Sequence, residues 1–230
     1  MARKAARAKA AESSSSPSAR NPEETRRKLI DAGMDVFARY GLLGARVDMI
    51  AEQAGVNKQL IYYHFGDKDG LYSAVLEAAY RDIRASEREL SLAELAPDVA
   101  IERLTKFSFD YLVANPAFVA LLRDENVHRG THLRQSPVLR ELRSPFIQMI
   151  AETLRRGERA GIFRSGIDPV QFYMSLTGLC YFYLTNIHTL SELFDQDLNA
   201  PEALARRRAH VVEFVMGFLA GPQTAISIEE

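Results

Sequence analysis

A chain of 230 residues has room for one large domain or two smaller ones, and an apolar fraction of 47% supplies an ordinary globular core. The single cysteine, Cys180, excludes an internal disulfide, and no Cys/His group has zinc spacing. A net charge of −1 hides a division: residues 1–68 hold 12 Lys/Arg against 8 Asp/Glu, and residues 69–230 hold 17 against 22. A basic front on an acidic body suits a DNA-reading head, although Arg3, Lys4, Arg7 and Lys9 alone supply the excess.

Residues 1–20 are rich in Ala, Ser and Lys/Arg without periodicity and read as a disordered basic arm, either solvated or touching phosphate. They lack the apolar stretch of a secretory signal. No later apolar run approaches the roughly 20 residues that span a bilayer, so a soluble cytoplasmic protein without membrane contact is expected. The first helix opens on Asn21 as cap, Pro22 at the first helical position and Glu24 in the capping box. Leu29, Ile30, Gly33, Val36, Phe37 and Tyr40 mark its inner face, and Gly41 stops it.

A second helix runs from about Val47 to Ala54 and ends at Gly55, which tolerates the left-handed backbone of a sharp turn. Asn57 then caps a third helix. Val56 and Ile61 occupy the two positions of a hydrophobic staple, and Ile61 and Phe65 point inward. Lys58, Gln59, Tyr62 and Tyr63 are thereby left on outer faces, with His64 beside them. Gly66 ends this helix and Asp67 caps a fourth, whose inner residues are Leu71, Tyr72, Val75, Leu76 and Ala79. Two short helices joined by a glycine turn, the second bearing clustered donors, form a helix-turn-helix.

Five further helical segments are predicted near 97–114, 117–129, 136–160, 169–195 and 202–220, punctuated by Pro97, Asn115-Pro116, Gly130, Gly161, Gly166 and Pro201. Asp168-Pro169-Val170-Gln171 repeats the cap, proline and box pattern. No stretch alternates as a strand does. The fold class is all-α: a three-helix head over 21–68 and a helical body over 69–222 that dimerises and binds a ligand.

The stretch IAEQAGVNKQLIYYHFGDKDGLYSAVL resembles the signature of TetR-type transcriptional regulators across about residues 22–80. GIFRSGIDPVQFYMSLTGLCYFYLTNIHTLSELF and APEALARRRAHV resemble, more loosely, the branch that represses pyrimidine use and aromatic N-heterocycle breakdown. The resemblance implies an all-helical homodimer on a palindromic operator of double-stranded DNA, with the last two long helices pairing between subunits. It also implies a small-molecule effector in the body that shifts the fourth helix and the spacing of the two recognition helices.

Carried over by position, Lys58 and Gln59 are base readers, suited to guanine and adenine respectively. Leu60 can pack on a thymine methyl. Arg46, Val47, Asn57, Tyr62, Tyr63, His64 and Lys68 complete the DNA-facing set. Val47 departs from the usual threonine and loses a hydroxyl contact; its backbone N–H can still donate. Asn57 stands where serine or threonine is common. Tyr62 reads equally well as half core, and His64 as a cap or packing residue. Lys68 near a helix start opposes that helix's dipole, which favours a phosphate contact.

In the body, Phe172 to Leu184 is apolar almost all round and must be buried on more than one side. Tyr111, Phe118, Phe172 and Tyr181, with Asn126 and Asn186, are the expected lining of a pocket for a small, flat molecule; core packing is the alternative for each aromatic. Phosphate loop and nucleophile elbow are both missing, and Cys180 lies in an apolar run where an inert thiol is expected. His128 and His132 have metal-like spacing with Asp124 nearby, but Gly130 intervenes. No cofactor, no metal and no catalysis are expected. A ligand-released repressor of a catabolic operon for a small aromatic or heteroaromatic compound is the first reading. An efflux-operon repressor, or a partner-regulated or unregulated DNA-binding protein whose body only dimerises, is the alternative.

Overall fold

The computed structural model describes residues 22–220, so the arm over 1–20, the Asn21 cap and positions 221–222 lie outside the described residues. Among the described residues there are eleven α-helices and no strand. The first, α1 (Pro22–Gly44), breaks its helical backbone at Gly41, where φ is +67°. α2 (Val47–Ala54) ends on Gly55 in the left-handed region, and α3 (Gln59–Phe65) follows after the turn. α4 (Lys68–Glu89) starts under the Asp67 cap, whose carboxylate accepts from the Gly70 N–H at 2.7 Å. Leu71, Tyr72, Val75, Leu76 and Ala79 are all buried, as the periodicity requires.

A 3-10 turn at Leu92–Glu94 precedes α5 (Pro97–Ala114) and α6 (Pro116–Val127). Arg156 clamps that turn by donating to the carbonyls of Leu92, Ala93 and Leu95 at 2.9–3.0 Å. The connection expected around Gly130 contains a further short helix, α7 (Thr131–Gln135), entered through consecutive left-handed residues Arg129 and Gly130. α8 (Pro137–Arg159) begins with Ser136 accepting from Leu139 N–H, and α9 (Pro169–Thr185) with Asp168 accepting from Gln171 N–H. α10 (Ile187–Phe194) and α11 (Pro201–Ala220) complete the chain.

The segment predicted as one helix over 169–195 is two, broken at Asn186. No glycine or proline marks the break. Thr185 Oγ1 and Asn186 Nδ2 donate to the Tyr181 and Phe182 carbonyls, both at 2.8 Å. Side chains that compete for the last-turn carbonyls loosen and bend a helix.

One continuous apolar core runs from Leu29 in α1 to Leu219 in α11. α1 packs on α2, α4 and α6, while α5 sits among α8, α9 and α11. α4 and α6 therefore reach both ends of the molecule, from the helix-turn-helix to the body.

Candidate nucleic-acid interface and effector cavity

The turn between α2 and α3 is held by backbone bonds that glycine makes possible. Gly55 and Val56 N–H groups donate to Glu52 and Ala51 carbonyls at 3.1 and 3.0 Å, closing α2. Asn57 Oδ1 accepts the Gln59 N–H at 2.8 Å, so the expected cap forms. Ile61 is fully buried and fixes the rotation of α3, with half-buried Leu60 and Phe65 on its flanks and Arg26 over the Phe65 ring at 5.3 Å. The opposite face then has to point outward. Lys58 and Gln59 are exposed, Tyr62 is 48% and Tyr63 78% exposed, and His64 stands edge-on to Tyr63.

Two cations are engaged in ways the sequence did not signal. Lys58 Nζ lies 3.0 Å from Asp48 of α2, which raises its pKa through the hydrogen bond and the charge. Such an exposed pair is weak in water and exchanges readily for a phosphate or base. Lys68 departs further from expectation: its ammonium donates to the Ala45 carbonyl at 3.0 Å and ties the start of α4 to the loop before α2. Two of its three donors stay free for phosphate. Arg46 is exposed with extended backbone as α2 begins, and Val47 beside it is half-buried on the core. Leu60 likewise packs on the core, which limits its reach toward a base.

Behind the head, α6 supplies the contact with α1. Asp124 accepts the Leu42 N–H at 2.9 Å, filling the gap that the Gly41 break opens. Glu125, 1% exposed, accepts from the His132 and Leu133 N–H groups at 2.8 and 3.1 Å and meets His132 Nδ1 at 2.8 Å. His132 Nε2 faces Asp69 of α4 at 3.5 Å, and its ring stands 4.8 Å from that of Tyr72. Burial first, then Asp124, raises the Tyr72 phenol above its ordinary pKa. His128 and His132 are thus parts of a packed junction. Among the described residues no group of three or more His, Cys, Asp or Glu side chains is arranged to hold a metal.

The body contains a half-open cavity of about 290 Å³ between α4, α5, α6 and α9. Of the six residues expected to line a pocket, Phe118, Asn126 and Tyr181 do so. Tyr111 stands behind Phe118, edge-on at 5.7 Å, with its hydroxyl donating to Asp82 at 2.8 Å. Phe172 faces the core at 4% exposure, and Asn186 is spent on the helix break. Those three do not line this cavity, because apolar character does not say which side of a doubly buried helix a residue occupies. Tyr80, Arg84, Glu87 and Tyr173 also line the cavity and went unforeseen, since an arginine and a glutamate three apart look like any solvated helix pair. Cys180 is fully buried, and burial pushes its thiol up to about 12. A second cavity of about 290 Å³ lies at the other side of α6, near Arg123 and His188.

Known proteins place this arrangement. Residues 29–75 match the family described as bacterial regulatory proteins, tetR family, and residues 97–215 match the tetracyclin repressor-like C-terminal domain. The chain is 36% identical over 187 residues to the HTH-type transcriptional repressor NicS of Pseudomonas putida, covering 81% of this chain and 88% of that one. It is 34% identical to the HTH-type transcriptional repressor SCO4008 of Streptomyces coelicolor, over 70% and 79% of the two chains. Among solved structures, the transcriptional regulator SCO4942 of Streptomyces coelicolor superposes with a TM-score of 0.64 at 25% identity, over 86% of this chain and 99% of that one.

Proposed function

The chain belongs to the tetR family of bacterial regulatory proteins, and on that premise we propose that it binds a palindromic operator as a homodimer and is released by a small aromatic or heteroaromatic effector whose catabolic operon it represses. It is a DNA-binding transcriptional regulator and not an enzyme, as its named relatives are. The observation that carries the proposal is that α4 and α6 each border the cavity with one part and hold the head with another. α6 offers Phe118, Leu122 and Asn126 to the cavity and Asp124 to the Leu42 N–H. α4 offers Tyr80 and Arg84 to the cavity and Lys68 to the Ala45 carbonyl.

A ligand shifts an equilibrium only by binding one state better than the other. Here an occupant that spreads α4 from α6 would move the base of α3. Two recognition helices must sit roughly 34–36 Å apart to enter successive major grooves, so a small hinge motion suffices to release the operator. A body that only dimerised would have little use for a cavity of this size, which supports the ligand reading over that alternative.

The dimer surface we assign to α9 and α11. Val170, Met174 and Phe182 on α9, with Phe214 and Phe218 on α11, form exposed apolar rows at helical spacing, and Phe182 is 59% exposed. Gly217 has open space beyond it, which lets a second copy approach closely. Phe182→Asp places a charge in that surface. It is expected to convert a dimer to a monomer in analytical ultracentrifugation; an unchanged sedimentation coefficient would remove α9 from the interface.

Selection of bound sequences from a random DNA pool tests the whole proposal. The expected product is an inverted repeat with half-sites about one helical turn, 10–10.5 base pairs, or a multiple of it apart. On that operator Gln59→Ala is expected to cost about 1–3 kcal/mol at one base-pair position and to relax preference there. Lys58→Ala is expected to do the same at a neighbouring position. Wild-type preference in both variants would refute their assignment as base readers.

A further inference from the structure

We propose that the cavity bordered by α4, α5, α6 and α9 is an anion receptor: it takes a single ring bearing one carboxylate, whose oxygens replace those of Glu87 on the Arg84 guanidinium while Glu87 takes up a proton. The proposal rests on the reading of this cavity as the effector site and names the effector's chemistry. The walls formed by Ile83, Leu112, Phe118 and Leu122 suit a flat apolar body, and about 290 Å³ accommodates one substituted ring. One end is different in kind. Arg84 and Glu87 border it as an ion pair, at 8% and 4% exposure.

A buried ion pair adds little stability, because removing both charges from water offsets their attraction. This pair is also lopsided. Arg84 is held by Glu87, by the Phe146 ring 4.2 Å from its guanidinium carbon and by the Tyr173 phenol, and its Nε–H is buried without a partner. Glu87, among the described residues, has Arg84 as its hydrogen-bond partner and only the more distant charge of Arg88 besides. Burial, opposed by those two cations, pushes its carboxyl up to about 7. Among the described residues, the other titratable groups facing the pair are Tyr80 on α4, Tyr111 on α5, Tyr173 on α9 and Glu141 on α8.

Of the two charges, the carboxylate is therefore the one that neutralises readily. Protonating Glu87 leaves a fixed guanidinium at the end of an apolar slot, with an unused N–H and the planar fork that matches a carboxylate. An arriving carboxylate restores neutrality at the site and, as a second anion beside Glu87, raises its proton affinity further. The proton comes from solvent and stays on the Glu87 carboxyl. A cationic ligand would have to pull Glu87 away from Arg84 and leave the guanidinium buried and unpaired, which the same reasoning disfavours.

Glu87 prefers its protonated form below about 7, so a ligand that needs that form binds best there and is lost as pH rises. The test uses the full chain with benzoate, neutral benzamide and cationic benzamidine, followed by thermal shift and by calorimetry in two buffers of different ionisation enthalpy. Expected are preference for benzoate, proton uptake that rises from about 0.1 per subunit at pH 6 to about 0.9 at pH 8, and about tenfold weaker binding at pH 8 than at pH 6. Glu87→Gln should keep benzoate binding and lose its pH dependence. The double variant Arg84→Gln with Glu87→Gln removes both charges together and should keep the fold, as judged by melting temperature, while losing the preference for benzoate. Benzamide binding as well as benzoate, the absence of proton uptake, benzoate preference surviving in the double variant, or no benzoate binding at any pH would each overturn the proposal. Leu122→Trp, which fills the slot, separates the two readings. If benzamide binds and Leu122→Trp abolishes it, the cavity is a ligand site and only its anion character fails; if no probe responds to Leu122→Trp, the cavity reading fails with it.

Discussion

Gly70→Ala is expected to destabilise the protein by about 3 kcal/mol and to lower operator affinity by roughly two orders of magnitude. A Cβ at Gly70 would stand 2.1 Å from the Phe65 carbonyl oxygen, and that oxygen is backbone. No rotamer relieves the clash, so α3 has to move away from α4. That movement displaces Lys58, Gln59, Tyr62 and Tyr63 together, which is why affinity falls along with stability. Gly55→Ala is the control. Gly55 sits at φ +64° with nothing within 4 Å of where a Cβ would stand, so only the left-handed backbone opposes alanine, at about 1–2 kcal/mol. Urea midpoints and fluorescence anisotropy on the selected operator measure both variants. Equal midpoints for Gly70→Ala and the parent would show that the two helices are less closely locked than their separation demands.

Glu125→Leu is expected to cost about 3–5 kcal/mol, the range for breaking a buried charge network from one side. Its carboxylate is the shared acceptor for the His132 N–H, the Leu133 N–H and His132 Nδ1. Leucine fills similar space and leaves those groups buried without a partner. Glu125→Gln keeps one acceptor oxygen and should lose about 1–2 kcal/mol. The second consequence is functional. The network ends on Asp69 and Tyr72 at the start of α4, so Glu125→Leu should also loosen the junction between α6 and the head. Hydrogen exchange of α7 and the first turns of α4 would report it. A loss under about 1 kcal/mol with unchanged exchange would make Glu125 a spectator.

The helix-turn-helix was legible because each of its steps is a local rule. Gly55 supplies the left-handed turn, Asn57 caps the next N–H, and Ile61 anchors the rotation of α3. With Ile61 inward, the outward face of Lys58, Gln59, Tyr62 and Tyr63 follows from helical geometry alone. The starts of α5, α9 and α11 were readable for the same reason, in Pro97, Asp168-Pro169 and Pro201.

What eluded the sequence depends on which element lies opposite. The break at Asn186 has no glycine or proline to announce it, only Thr185 and Asn186 side chains donating to the Tyr181 and Phe182 carbonyls. Lys68 turns to the Ala45 carbonyl because the fold brings a loop 23 residues away within reach. Tyr111, Phe172 and Asn186 missed the cavity while Tyr80, Arg84, Glu87 and Tyr173 border it, and nothing in their spacing distinguishes the two sets.

Caps, turn residues and periodicity act within a few residues along the chain. They suffice to make it all-α, to start most of its helices where they start, and to give its first helices a DNA-reading face. Three-dimensional packing was needed for the rest: Glu125 seals the junction behind the head, Gly70 must lack a side chain, and Arg84 and Glu87 are buried together at a cavity end. Burial is a property of what packs across from a residue. It turns an ordinary surface pair into a desolvated one, and desolvation gives that pair its chemistry.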